Sequence, residues 1–212
     1  MKHPPRYKQL EELVRDHSER KGEIRARLKE FAAVPATEYF YELVYCLLTP
    51  QSSAVNAGKA VEGLRLADLQ GSPVKPVGIL FSKTHYIRFH RTKARHLLEA
   101  KAQFPGILSI LLRGGSSMDL RAWLAGNVRG LGWKEASHFL RNIGHRDLAI
   151  LDRHILRNLR RHGVIRTVPA TLTPARYLLT EAAFRRFAHA IGIPMDELDL
   201  LFWSRETGTI LK

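Results

Sequence analysis

Apolar residues recur at the three- and four-residue spacing of an α-helix in nearly every segment of the chain, and alternating strand patterns bounded by turn residues are hard to find. That regularity predicts an all-α protein. A charged first helix is expected over about 7–32. Pro35 and Thr37 then precede EYFYELVYCLL, whose apolar residues nearly surround it, as a central buried helix requires. Ser53 or its neighbour caps a helix over about 54–67. Residues 71–84, rich in Gly, Pro and Ser, read as a loop holding one short helix, and RTKARHLLEAKAQF returns to helical periodicity with its basic residues on one face. Ser116 and Ser117 open a helix through MDLRAWLAGNV, which Gly130 and Gly132 end in a turn. RHILRNLRRHGV reads as a short basic helix, Pro174 fits the first turn of the next, and MDELDLLFWSRETG, between Pro194 and Gly208, is the last. The expected arrangement is two helical lobes, one contiguous over about 36–145 and one assembled from about 1–35 plus 146–212.

A chain of 212 residues can bury a sizeable core without a disulfide or metal staple. Its 34 Lys plus Arg against 20 Asp plus Glu leave a formal charge of +14, spread along the sequence. Self-repulsion on that scale opposes compaction and points to a polyanionic partner, nucleic acid first and an anionic membrane surface second, with a basic protein lacking any such partner as the third reading. The single cysteine, Cys46, sits in the apolar run ELVYCLL and is expected to pack as a small hydrophobe. One cysteine excludes an intrachain disulfide framework and a four-cysteine iron–sulfur cluster. The stretch MKHPPRYKQLEEL lacks the apolar core of a signal peptide, and no segment reaches roughly 18 apolar residues, so a soluble, intracellular protein with no membrane partner is expected.

The stretch NVRGLGWKEASHFL carries the first chemistry. Helix, GLG turn and helix form a helix-hairpin-helix pattern, in which Gly130 and Gly132 let backbone N–H groups approach a phosphate at the positive end of the second helix. Such contacts fix register without reading sequence. Lys134 stands just inside that second helix, where the field disfavours a cation by roughly 0.3–1 kcal/mol. Two roles fit it: a neutral, nucleophilic amine, or a solvated cation that touches a phosphate. Asp152 follows eighteen positions on, in AILDRHILRNL, between an apolar run and a basic helix. It is either an N-cap alone or also a carboxylate facing a cleft, where it would stabilise a cationic sugar carbon during glycosidic bond cleavage.

RGLGWKEA followed by LDRHI at this spacing resembles the helix-hairpin-helix DNA glycosylases of the endonuclease III superfamily, and the ending DLLFWSRETGTILK, the short length and the missing cysteine cluster are similar to the type-2 8-oxoguanine DNA glycosylase/AP lyases. The resemblance implies an active-site cleft between the two lobes. It also implies that Lys134 attacks the deoxyribose C1′ to form a Schiff base, with Asp152 stabilising the oxocarbenium and assisting proton transfers, and that β-elimination can then nick the strand. The damaged base must leave the stack to be reached. Trp203 matches a tryptophan that stacks on it, Lys212 a terminal lysine that helps tell 8-oxoguanine from guanine, and Phe89 an aromatic of the base pocket. Asp199 either accepts from the guanine edge or lies on the exposed face of the last helix. Gln51 sits where relatives carry a gap-filling glutamine; a core Phe89, a core Trp203, a solvated Gln51 and a frayed Lys212 are the plainer alternatives. In the superfamily the hairpin carbonyls hold a monovalent cation, which implicates Gly126, Val128 and Leu131.

GLG replaces the commoner PGVG, so the stiffening proline is absent, and Trp133 is bulkier than the usual residue at its position. The expected function is excision of 8-oxoguanine from damaged double-stranded DNA with strand cleavage, by a monomer with no cofactor, working in the cytoplasm at the nucleoid. The competing readings are a related glycosylase for another lesion, such as an oxidised pyrimidine or an alkylated purine, and a non-enzymatic DNA-binding module.

Overall fold

The computed structural model describes residues 7–210. Among them are ten α-helices and no strand, as the periodicity requires: α1 (Leu10–Ala32), α2 (Tyr39–Leu48) after a 3-10 turn at Ala36–Glu38, α3 (Ala54–Leu66), α4 (Pro76–Leu80), α5 (His90–Arg113), α6 (Ser117–Asn127), α7 (Trp133–Asn142), α8 (Arg153–Arg161), α9 (Pro174–Ile191) and α10 (Met195–Thr207). None is long and apolar enough to cross a membrane. The chain divides into two compact units, Val34–Ile143 and a second made of Met1–Ala33 with Gly144–Lys212.

In the contiguous unit α2 is the central rod, packed by α3, α5 and α7. Phe40, Leu43, Val44, Cys46 and Leu48 are fully buried, each large side chain stabilising the fold by roughly 1.5–3 kcal/mol. The Cys46 thiol is pushed well above its usual range, by burial first and then by the Glu42 carboxylate, so it is inert packing material as expected. Arg65 of α3 makes a two-pronged contact with Glu38 at 2.6 and 3.1 Å and lies 4.2 Å from the centre of the Tyr41 ring, fixing the start of α2.

Caps mark the helix starts where the sequence offers them. The Ser53 hydroxyl accepts from the Asn56 N–H at 3.1 Å, and Ser116 accepts from the Asp119 N–H at 3.1 Å while donating to the Asp119 carboxylate at 2.6 Å. Such caps contribute about 1 kcal/mol each. Helix α5 differs from the sequence reading, which stopped at Phe104: it runs on through Pro105 to Arg113. A proline inside a helix costs about 3 kcal/mol, and the buried Phe104, Ile107 and Leu111 on either side of it supply the compensation.

The second unit packs α10 against α1, α8 and α9. A polar seam crosses its core: Glu197 of α10 takes His17 Nε2 at 2.6 Å and Arg25 Nε at 2.9 Å, both from α1. The His162 ring is stacked on Phe187 and Phe202, with centroids 5.9 and 5.5 Å away. Pro174 occupies the first turn of α9 behind the Thr173 cap, and α10 ends at Gly208, whose φ of 81° suits a residue without a Cβ.

Candidate active site

The hairpin between α6 and α7 is built by glycine and one buried arginine. Gly130 has φ +87°, and a Cβ there would strike the His96 ring of α5. Gly132, in extended backbone, is the N-cap of α7 and has no side chain to cap with. The positive, N-terminal end of α7 therefore follows directly on a turn without bulky side chains, a setting that suits a phosphate. Fully buried Arg121 of α6 holds the two helices together, donating to the Ser137 hydroxyl at 3.3 Å and lying 5.0 Å from the Trp133 ring centroid. The bulk of Trp133 thus serves as the face against which Arg121 packs. Gly126, Val128 and Leu131 line one open concavity with the rest of the turn, residues 125–132.

Lys134 is the second residue of α7. Its side chain is 29% exposed and its Nζ lies 3.0 Å from Glu135 Oε1. A second lysine stands nearby in the same unit. Lys93, in the first turn of α5 and 6% exposed, donates to the Leu48 and Pro50 carbonyls at 2.6 Å each and to the Ser52 hydroxyl at 3.1 Å. It thereby closes the C-terminal end of α2, where carbonyls have no intrahelical partner. Burial first, and then repulsion from Lys134, push the Lys93 pKa down to about 8, while Glu135 opposes the shift.

The turn that Lys93 holds contains Gln51, exposed and strained at φ 55°. Ser52 in that turn also accepts from the Arg88 N–H at 3.1 Å. Phe89 follows, at φ 58°, half exposed, with the Arg88 guanidinium 4.9 Å from its ring centroid. Phe89 is therefore no core residue, and Gln51 is an exposed loop residue in left-handed backbone.

In the other unit Asp152 has both carboxylate oxygens engaged. Oδ1 caps α8, accepting from the Ile155 N–H at 2.8 Å, and Oδ2 accepts from the Trp203 indole N–H at 2.7 Å. Trp203 is half-buried in α10, with the His154 ring edge-on at 5.5 Å. It is a hydrogen-bond donor to the carboxylate, a role the sequence did not suggest. Asp199 is buried and does not lie on an exposed face of α10. Lys212 falls outside the described residues. Lys134, Gln51, Phe89, Gly130 and Gly132 thus belong to one unit, and Asp152, Asp199 and Trp203 to the other.

Lys93 and Glu135 were not anticipated. The signal for Lys93 was present, since a lysine in a helix's first turn is the anomaly that singled out Lys134; its partners, two carbonyls and a hydroxyl more than forty positions away, were invisible to local pattern. Among the described residues no group of three or more His, Cys, Asp or Glu could hold a metal ion.

The sequence model of the 8-oxoguanine DNA glycosylase family matches residues 24–193. The chain belongs to that family. It is 38% identical to an 8-oxoguanine DNA glycosylase/AP lyase of Fusobacterium nucleatum, covering 95% of this chain and 96% of the relative, and 37% identical to one from Korarchaeum cryptofilum, covering 96% and 99%. Two solved structures of the Methanocaldococcus jannaschii 8-oxoguanine DNA glycosylase superpose with a TM-score of 0.83 each. One, at 33% identity, covers 97% of this chain and 95% of the solved one. The other, at 32% identity and covering 94% and 99%, is bound to a 15-nucleotide DNA containing 8-oxoguanine. In this chain α6, the glycine turn and α7 form a helix–turn–helix, and Lys134 is the second residue of its second helix.

Proposed function

We propose that this family member excises 8-oxoguanine from duplex DNA and cleaves the strand at the resulting site, with Lys134 as nucleophile and Asp152 as the stabilising carboxylate. The observation that carries the reading is Lys134 itself: a part-exposed amine at the positive start of α7, directly after a glycine turn suited to hold a DNA phosphate. The relatives and solved structures bearing the 8-oxoguanine glycosylase name support the lesion.

In this reading the Lys134 lone pair forms a bond to C1′ while the C1′–N9 bond breaks, and its electron pair leaves with the base, which takes up a proton. The Asp152 carboxylate offsets the positive charge that develops on the sugar. Loss of a proton from Nζ and opening of the ring, with O4′ protonated, give the C1′ imine. Removal of a C2′ proton then expels the 3′-phosphate. The flipped base stacks on Trp203, whose N–H is committed to Asp152, and Phe89, Asp199 and Lys212 take part in recognising it. Gln51 fills the gap left in the duplex. The carbonyls of Gly126, Val128 and Leu131, neutral oxygens around one concavity, suit a monovalent cation that bridges to a phosphate. Since one chain carries both Lys134 and Asp152, a monomer suffices, and duplex DNA as substrate puts its work at the nucleoid.

The test is borohydride trapping on a duplex with one 8-oxoguanine. Wild type is expected to form a covalent adduct, and Lys134→Gln none while still binding DNA. An adduct of undiminished yield in Lys134→Gln overturns the role of the lysine. Preferential cleavage at an oxidised pyrimidine in a lesion panel overturns the substrate, and salt-sensitive binding with no product on any lesion reduces the protein to a DNA-binding module.

A further inference from the structure

Gln51 at φ 55° and Phe89 at φ 58° are both exposed, and both place a residue with a Cβ in left-handed backbone. Backbone of that kind is costly and persists where surrounding contacts over-determine it. Here those contacts meet at two side chains. The Ser52 hydroxyl, one residue after Gln51, accepts from the N–H of Arg88, one residue before Phe89, at 3.1 Å, and from Lys93 Nζ at 3.1 Å. Both lone pairs of the hydroxyl are thereby used. Lys93 grips the same turn through the Leu48 and Pro50 carbonyls at 2.6 Å each, while its backbone N–H donates to the Phe89 carbonyl at 2.9 Å. A further link runs alongside, from Asn56 Nδ2 to the Tyr86 carbonyl at 3.3 Å. The two strained residues therefore flank one hydrogen-bonded node, although 38 positions separate them in the chain (89 minus 51).

We propose that Ser52 and Lys93 are positioning residues that fasten the Gln51 turn to the Phe89 turn, so that the two side chains meet damaged DNA as a preset pair. Gln51 enters the place the lesion leaves, and Phe89 takes part in recognising the base that has left it. The two acts belong to one event, since the gap in the stack exists only while the base is out. A node shared by both turns serves both halves of that event. The cost of the left-handed backbone is then met when the chain folds and not when DNA binds, which is how a preorganised contact gains over a flexible one. The inference rests on the reading of Gln51 and Phe89 as DNA-contacting residues.

The experiment compares two single-turnover reactions on one duplex sequence at saturating enzyme: release of 8-oxoguanine, and borohydride trapping at a preformed abasic site. The first needs a base taken out of the stack and recognised; the second has no base to move. Ser52→Ala removes the acceptor that Arg88 and Lys93 share, and is expected to slow base release about tenfold, as a small misplacement does, while trapping stays within about twofold. Ser52→Thr, which keeps the hydroxyl, should release base at the wild-type rate. Lys93→Met should separate the two reactions in the same direction; if it does not fold, the Ser52 variants decide. In Gln51→Ala/Phe89→Ala, which lacks both side chains to be positioned, adding Ser52→Ala should slow release by less than about twofold further. That cycle reads base release alone and decides even where no adduct forms. If the node only braces the fold, Ser52→Ala will slow both reactions equally, or add its full loss to the double variant, and either result overturns the proposal. A Gln51→Ala/Phe89→Ala protein that releases base as fast as wild type refutes the reading of those two residues, and this inference with it. If that protein is slow and Ser52→Ala behaves as wild type, this inference alone fails.

Discussion

Asp152 and Lys134 are held in opposite ways. The carboxylate receives two directed hydrogen bonds, one from the α8 backbone at 2.8 Å and one from the Trp203 indole at 2.7 Å. The amine has a neighbouring carboxylate at 3.0 Å and a place at the positive end of its helix. The contrast fits the roles proposed for the two groups. Two donors converging on one carboxylate fix its position, which suits the proposed partner of a developing cation. An amine that is to attack carbon needs freedom to reach it, and a part-exposed side chain has that freedom.

The sharpest break of this contrast is Asp152→Asn. The amide keeps an oxygen that can cap α8 but loses the charge and the acceptor for the Trp203 N–H, so stability should fall by no more than about 1–3 kcal/mol while base release slows by about 100- to 1000-fold, as loss of one stabilising electrostatic group does elsewhere. A large drop in melting temperature with little loss of single-turnover rate would show that the cap, and not the charge, is what Asp152 provides. Gly130→Ala tests the lysine side. It forces a Cβ into a left-handed position and into the His96 ring, and should cost about 1–3 kcal/mol in urea denaturation, with weaker DNA binding because the turn's N–H groups are displaced. Trp203→Phe is the mildest. It removes one donor to a charged acceptor, about 1.5–3 kcal/mol at most, and should slow base release about tenfold while leaving DNA affinity within about twofold, measured by single-turnover kinetics and fluorescence anisotropy.

The helices were largely legible because each buries one face against a neighbour, and that requirement writes itself into spacing: Ser53, Ser116 and Pro174 stand at the helix starts the residues suggested. The passage of α5 through Pro105 was not legible, since the compensation comes from burial of Phe104, Ile107 and Leu111 in the folded unit and not from any local preference. The same division runs through the candidate site. Lys134, Gly130 and Gly132 belong to one contiguous motif, and Asp152 could be read as an N-cap, which it is. The indole that holds Asp152 lies 51 positions away, and the acceptors of Lys93 lie 41–45 positions away, separations that only the fold closes. Phe89 and Gln51 share another hidden property, left-handed backbone at non-glycine residues in exposed turns, which the sequence gives no means to foresee.

The hydrogen bond between the Trp203 indole and Asp152 also turns the protein into its own optical instrument. Indole emission responds to charge at its N–H, and the chain has only three tryptophans, Trp123, Trp133 and Trp203. With the other two replaced by phenylalanine, the emission of Trp203 would follow protonation of the Asp152 carboxylate, and stacking of a base on the ring, in real time and without any label on the DNA.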